Sequence, residues 1–90
     1  MDAQIDAPQS AVLHYNMGNV YYKQQQYDKA IEEYHKALPQ KELQAKTYYN
    51  MGNTACKLNN YPQAIEYYKK VLGLGLVFYG ALLQTRKPML

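Results

Sequence analysis

The chain has no tryptophan, one phenylalanine and one cysteine in 90 residues. A single thiol, Cys56, excludes an intrachain disulfide and a zinc site built on cysteines. Arginine occurs once, at Arg86, and the formal net charge is only +3. So thin a basic surplus does not make a nucleic-acid interface. The uncharged stretch from Val71 to Thr85 has 15 residues and three glycines. A membrane helix needs about 20 apolar residues, so no membrane span is expected. The opening "MDAQIDAPQS" is acidic and polar where a secretory leader is basic and then apolar. These absences predict a soluble, cytoplasmic protein.

Catalytic signatures are missing too. His14 and His35 sit in no metal or nucleophile motif, and Gly73 and Gly75 lack the rest of a phosphate loop. Cys56 has no evident base beside it. The expectation is no enzyme, no metal and no cofactor, with a redox role for Cys56 as the weakest alternative.

What is abundant is tyrosine, with eleven residues. Its ring buries and its hydroxyl wants a partner, so the chain has wet-edged core positions or an aromatic binding surface. The string "YNMGN" stands at 15–19 and again at 49–53. Residues 11–38 and 45–72 share 14 of 28 positions at a fixed offset of 34. A period of that size means stacked supersecondary units.

Each unit reads as two helices. Ala11, Tyr15, Gly18 and Tyr22 follow helical spacing, as do Leu13, Met17, Val20 and Tyr21. "KQQQ" interrupts. Tyr27, Ala30, Ile31, Tyr34, Ala37 and Leu38 form a second stripe that Pro39 closes. The second unit runs from Ala45 to Leu58, turns at "NNYP", and continues from Pro62 to Leu72. Asn60 suits a cap and Pro62 a first turn. Gly73 suits a left-handed helix stop. Glu32 with Lys36, and Glu66 with Lys70, have i,i+4 spacing. Gly18 and Gly52 each cost about 1 kcal/mol inside a helix. That cost predicts a close approach of the partner helix, with small Ala30 and Ala64 on the crossing side.

"YNMGNVYYKQQQYDKAIEEYHKAL" and "YNMGNTACKLNNYPQAIEYYKKVL" resemble the tetratricopeptide repeat family over about 11–78. Met17-Gly18 and Met51-Gly52 stand in the Leu-Gly slot, and His14 and Tyr48 in the large-residue slot. Tyr21 fills the Tyr slot, which holds Ala55 in the second copy. Ala30 and Ala64, then Tyr34 and Tyr68, match the later slots. The resemblance implies an all-α fold of two helix pairs in a right-handed superhelical stack, with a C-terminal hydrophobic helix added. The expected division is an N-terminal tail (1–10), repeats at 11–44 and 45–78, and a capping or dimerisation segment (76–90).

The resemblance further implies a concave groove, lined by the first helix of each pair, that holds a peptide or partner segment. The matching faces carry Val12, Tyr15, Asn16, Asn19, Tyr22 and Lys23, then Lys46, Tyr49, Asn50, Asn53, Cys56 and Lys57. Asparagine can pair with peptide groups on both edges, and lysine attracts carboxylates. No carboxylate is present on this face, so an acidic or carboxyl-terminated segment is the expected partner. The same residues have plainer readings. Asn16 and Asn50 can serve neighbouring backbone, Tyr15 and Tyr49 can pack between repeats, and Lys23 and Lys57 can be solvated charges. Some family members clamp a terminal carboxylate. Asn19 and Asn50 match two of those slots, but Tyr15, Gly80 and Gln84 occupy the lysine and arginine slots, so that clamp is not expected.

Two repeats are few, since about three are usually needed to bury a continuous core. "LVFYGALLQTRKPML" must therefore matter. The favoured reading is a separate terminal helix. Alternatives are a homodimer contact through 76–90, a continuation of the preceding helix, and a truncated end. The function expected is a non-catalytic protein-binding scaffold. The alternative is a self-assembling repeat unit, natural or engineered.

Overall fold

The computed structural model describes residues 8–85, with side chains over 9–75. Four α-helices follow one another: α1 (Pro8–Lys23), α2 (Tyr27–Ala37), α3 (Gln44–Lys57) and α4 (Tyr61–Thr85), with a 3₁₀ turn at Lys41–Leu43 before α3. The helices pack as two pairs, α1 on α2 and α3 on α4, joined where α2 meets α3. Among the described residues there is no strand, and no helix long and apolar enough to cross a membrane.

The first helix starts at Pro8, inside the expected tail (1–10). Proline's fixed φ suits a first helical turn, where its missing N–H has no partner to lose. Both pairs turn by one device. Gln25 and Asn59, 34 residues apart, take φ of 63° and 61°. Gln26 N–H donates to Tyr21 C=O at 2.8 Å and Gln25 N–H to Tyr22 C=O at 2.9 Å. Asn60 to Ala55 and Asn59 to Cys56 repeat both bonds at 2.9 Å. This crossed pair satisfies the last carbonyls of the helix. Asn60 Oδ1 then accepts from Gln63 N–H at 3.4 Å, the expected cap on α4.

The expected stop at Gly73 and the separate terminal helix do not occur. No glycine among the described residues has a positive φ, and α4 passes through Gly73 and Gly75 without a break. Gly73 does not swing into the left-handed conformation of Gln25 and Asn59, so no crossed bonds close the helix. The glycines lower the helix propensity there by about 1 kcal/mol each, and without a left-handed residue the backbone keeps its helical hydrogen bonds. The roles expected for 76–90 as cap or homodimer contact lie outside the described side chains.

The core lies at the joint between repeats. Ala30, Tyr34, Met51, Ala55, Ala64 and Tyr67 are buried together, with Ile31, Leu38 and Tyr48 packed against them. Ala11, Ala37 and Leu43 form a smaller cluster. The small alanines let α2 and α4 lie close on their partners. At Gly18 and Gly52 the close approach is made by an aromatic ring. A Cβ on Gly18 would meet Tyr34 Cε1 at 2.5 Å, and one on Gly52 would meet Tyr68 Cδ1 at 2.7 Å.

Charge pairing departs from the expected i,i+4 register. Lys36 reaches Glu33 at 3.4 Å instead of Glu32, and Lys69 reaches Glu66 at 3.8 Å instead of Lys70 doing so. Glu33 is buried and also takes His14 Nδ1 at 2.7 Å. The His14 bond holds its carboxyl below the usual range, against the upward push of burial. That couple draws Lys36 away from Glu32. In the second repeat the matching slots hold Tyr48 and Tyr67, whose rings stack 6.3 Å apart.

Five substitutions test this packing. Gly18→Ala forces a methyl into the buried Tyr34 ring and destabilises the fold by about 1–3 kcal/mol despite the gain in helix propensity. Gly73→Ala enters open space and raises helix content and stability, by about 1 kcal/mol at most. Urea unfolding followed by circular dichroism reads both; equal signs would refute the account. Thr47 is fully buried and its hydroxyl has no partner among the described residues. Thr47→Val therefore stabilises by about 1 kcal/mol, seen as a melting point higher by about 4–8 °C. Gln25→Gly relieves a left-handed non-glycine residue and stabilises by about 0.5 kcal/mol, whereas Asn59→Gly gains less, because asparagine tolerates that conformation.

Candidate functional site

A cleft of about 220 Å³ is lined by Asn19, Tyr22 and Lys23 of α1, Tyr34 of α2, and Asn50 and Asn53 of α3. Its floor is a hydrogen-bonded chain. Tyr34 comes from α2, and its ring crosses α1 at the gap that Gly18 leaves. Its hydroxyl then donates to Asn19 Oδ1 at 2.5 Å. Asn50, from the second repeat, donates through Nδ2 to the same Asn19 Oδ1 at 3.2 Å and to Tyr15 Oη at 2.9 Å. The Tyr15 ring lies 5.9 Å from that of Tyr34. Four side chains from three helices therefore form one network, in which Asn19 and Asn50 are both hydrogen-bonded.

The second repeat copies half of this. Tyr68 crosses at Gly52 and its hydroxyl donates to Asn53 Oδ1. Tyr49 stacks on Tyr68 at 6.0 Å with nearly the same tilt as Tyr15 on Tyr34. Burial pushes the Tyr34 phenol up to about 12, with the neighbouring Tyr15 adding to the shift. Burial, then the contact with Cys56, pushes Tyr68 up to about 12. Both hydroxyls therefore stay protonated donors at neutral pH.

The geometry divides the expected site residues. Asn19, Tyr22, Lys23, Asn50 and Asn53 line the cleft together. Tyr15 lies beside it, where its ring receives Lys46 Nζ at 4.9 Å from the centroid. Asn50 serves side chains across the joint and not neighbouring backbone. Tyr49 is exposed on the outer edge of the second repeat. Asn16 and Lys57 are exposed outside the lining. Cys56 is half-buried, with Sγ 3.8 Å from the Tyr68 hydroxyl. Tyr34 lines the cleft but is absent from the expected groove face. Its place in the stripe of the second helix marks it as core, and only the glycine opposite hints that the ring reaches through.

Chemically the cleft offers fixed amides and one cation. Asn19 Nδ2, Asn50 Oδ1 and Asn53 Nδ2 have no partner among the described side chains. Those atoms are the donor and acceptor types that a peptide group requires. The lining has no carboxylate, and among the described residues no cluster of three or more His, Cys, Asp or Glu is placed to hold a metal ion. At about 220 Å³ the cleft is smaller than the about 300–1,000 Å³ of small-molecule sites.

A search among curated proteins returned no match. A family model described as the tetratricopeptide repeat matches residues 9–76, which spans both helix pairs and the cleft between them. The chain is a member of the tetratricopeptide repeat family.

Proposed function

We propose that this chain is a non-catalytic interaction module that holds an extended, acidic peptide segment of a protein partner in the α1–α3 cleft. The family is in general one of protein–protein interaction scaffolds, which sets the class of function. The finer reading rests on one observation: three asparagine amides fixed by tyrosine hydroxyls, each with a free edge, beside Lys23 and with no acid nearby. Amides already held in place lose little entropy on binding, so their hydrogen bonds count more fully toward affinity. Lys23 adds attraction for carboxylates that salt screens. Nucleic acid and membrane are not proposed as partners, since +3 spread over the chain is too weak a field for either.

Titration with a short Glu-rich peptide, followed by amide spectra, tests this. Side-chain amide shifts at Asn19, Asn50 and Asn53 are expected, with Lys23→Glu weakening binding about tenfold and a Gln-for-Glu peptide binding more weakly still. Shifts confined to α2 and α4, or unchanged affinity in Lys23→Glu, would overturn the assignment.

A further inference from the structure

We propose that the two end faces of the chain are complementary, and that copies stack head to tail, the first repeat of one seated on the second repeat of the next. This goes beyond the peptide reading and does not depend on it. The template is the joint inside the chain, where the second repeat sits on the first.

A shift of 34 residues carries every partner in that joint onto an end face. Thr47, Met51 and Thr54, on the same face of α3 by their spacing, are wholly buried, and Met51 lies in the cluster at the joint. Their counterparts are Leu13, 58% exposed, Met17, half-buried, and Val20, 53% exposed. On the first repeat's side, Tyr15, Ile31 and Leu38 are partly buried against the core. Their counterparts Tyr49, Ile65 and Leu72 are 53%, 52% and 66% exposed. One end therefore presents the apolar surface that the other end's template covers.

The polar groups match as well. Asn50 bridges Tyr15 Oη and Asn19 Oδ1 across the internal joint. The same shift places Asn16 of one copy against Tyr49 and Asn53 of the next. Asn16 is exposed, and it has no partner among the described residues. Charge follows: the internal contact of His35 with Tyr67, at 6.4 Å between rings, becomes Lys69 of one copy facing Glu33 of the next. The occupant whose donors, acceptors, apolar area and charge all fit is a second copy of this chain. Because the faces differ, the contact is heterologous, and repeated addition extends a row without closing a ring on its own account.

Sedimentation velocity of the full chain from micromolar to millimolar concentration tests this, with Val20→Arg blocking one face and Ile65→Arg the other. Both positions are exposed, so the fold should survive, and circular dichroism checks that it does. Leu13→Arg and Leu72→Arg repeat the test at the same faces. The wild type is expected to grow past the dimer with concentration. Each variant alone should stay monomeric, and an equimolar mixture should double in mass and stop there, since one good pair of faces remains. A wild type that is monomeric at millimolar concentration overturns the proposal. So does one variant that dimerises alone, which would mean a symmetric contact. Variants that assemble like the wild type would place the contact elsewhere, in 76–90 for example, and would equally defeat it.

Discussion

The hydroxyl of Tyr34 on Asn19 is the interaction on which the cleft rests. It exists because Gly18 has no side chain. A ring rooted on α2 crosses α1 only where a Cβ is missing, and Tyr34 fills that gap closely enough that a methyl would sit 2.5 Å from it. The glycine's cost to the helix, about 1 kcal/mol, is offset by burying a whole aromatic ring. What emerges on the far side is a fixed hydrogen-bond donor that orients an asparagine at the cleft floor. Core packing and the cleft floor are thus two ends of one side chain.

Repetition of the sequence does not make the repeats equivalent, because their neighbours differ. Asn19 and Asn53 have the same tyrosine partner, but only Asn19 also receives an amide from the following repeat. His14 and Glu33 form a hydrogen-bonded couple where Tyr48 and Tyr67 stack. The aromatic pair lies in the core at the joint, and the hydrogen-bonded couple lies on the first repeat, whose outer face, with Leu13 and Val20 exposed, has no neighbour among the described residues. In a linear stack each unit buries its face only against the next, so identical sequence slots meet different surroundings.

Much of this was legible because it is local. The period of 34, the helix stripes, the cap at Asn60 and the meaning of Gly18 and Gly52 need no knowledge beyond a few turns of chain. Asn50 and Asn53 share a face by helical spacing, Asn19 holds the slot of Asn53 one period earlier, the repeat family's arrangement sets the two first helices side by side, and the structure places all three in one cleft. The rest depended on neighbours distant in sequence. Tyr34 reads as core from its stripe, and its hydroxyl is found at the cleft only once α1 is laid across it. Glu33 looks like a surface acid until His14, 19 residues away, covers it. Gly73 matches the composition of a helix stop, but a stop also needs a left-handed turn and a chain that folds back, and neither follows Leu72. Gln25 makes such a turn without being glycine, since the crossed hydrogen bonds hold it there.

Asn50 links these levels. Its Nδ2 group binds Tyr15 and Asn19 across the joint, while its carbonyl edge belongs to the cleft. The separation of the two asparagines is therefore set by how the second repeat sits on the first. A ligand that uses the free carbonyl leaves the joint intact and gains from its rigidity. One that competes for the Nδ2 group must first loosen the contact between repeats, and part of its binding energy goes into that change. The cleft thus presents an acceptor on Asn50 and a donor on Asn19 at a spacing that the joint itself fixes.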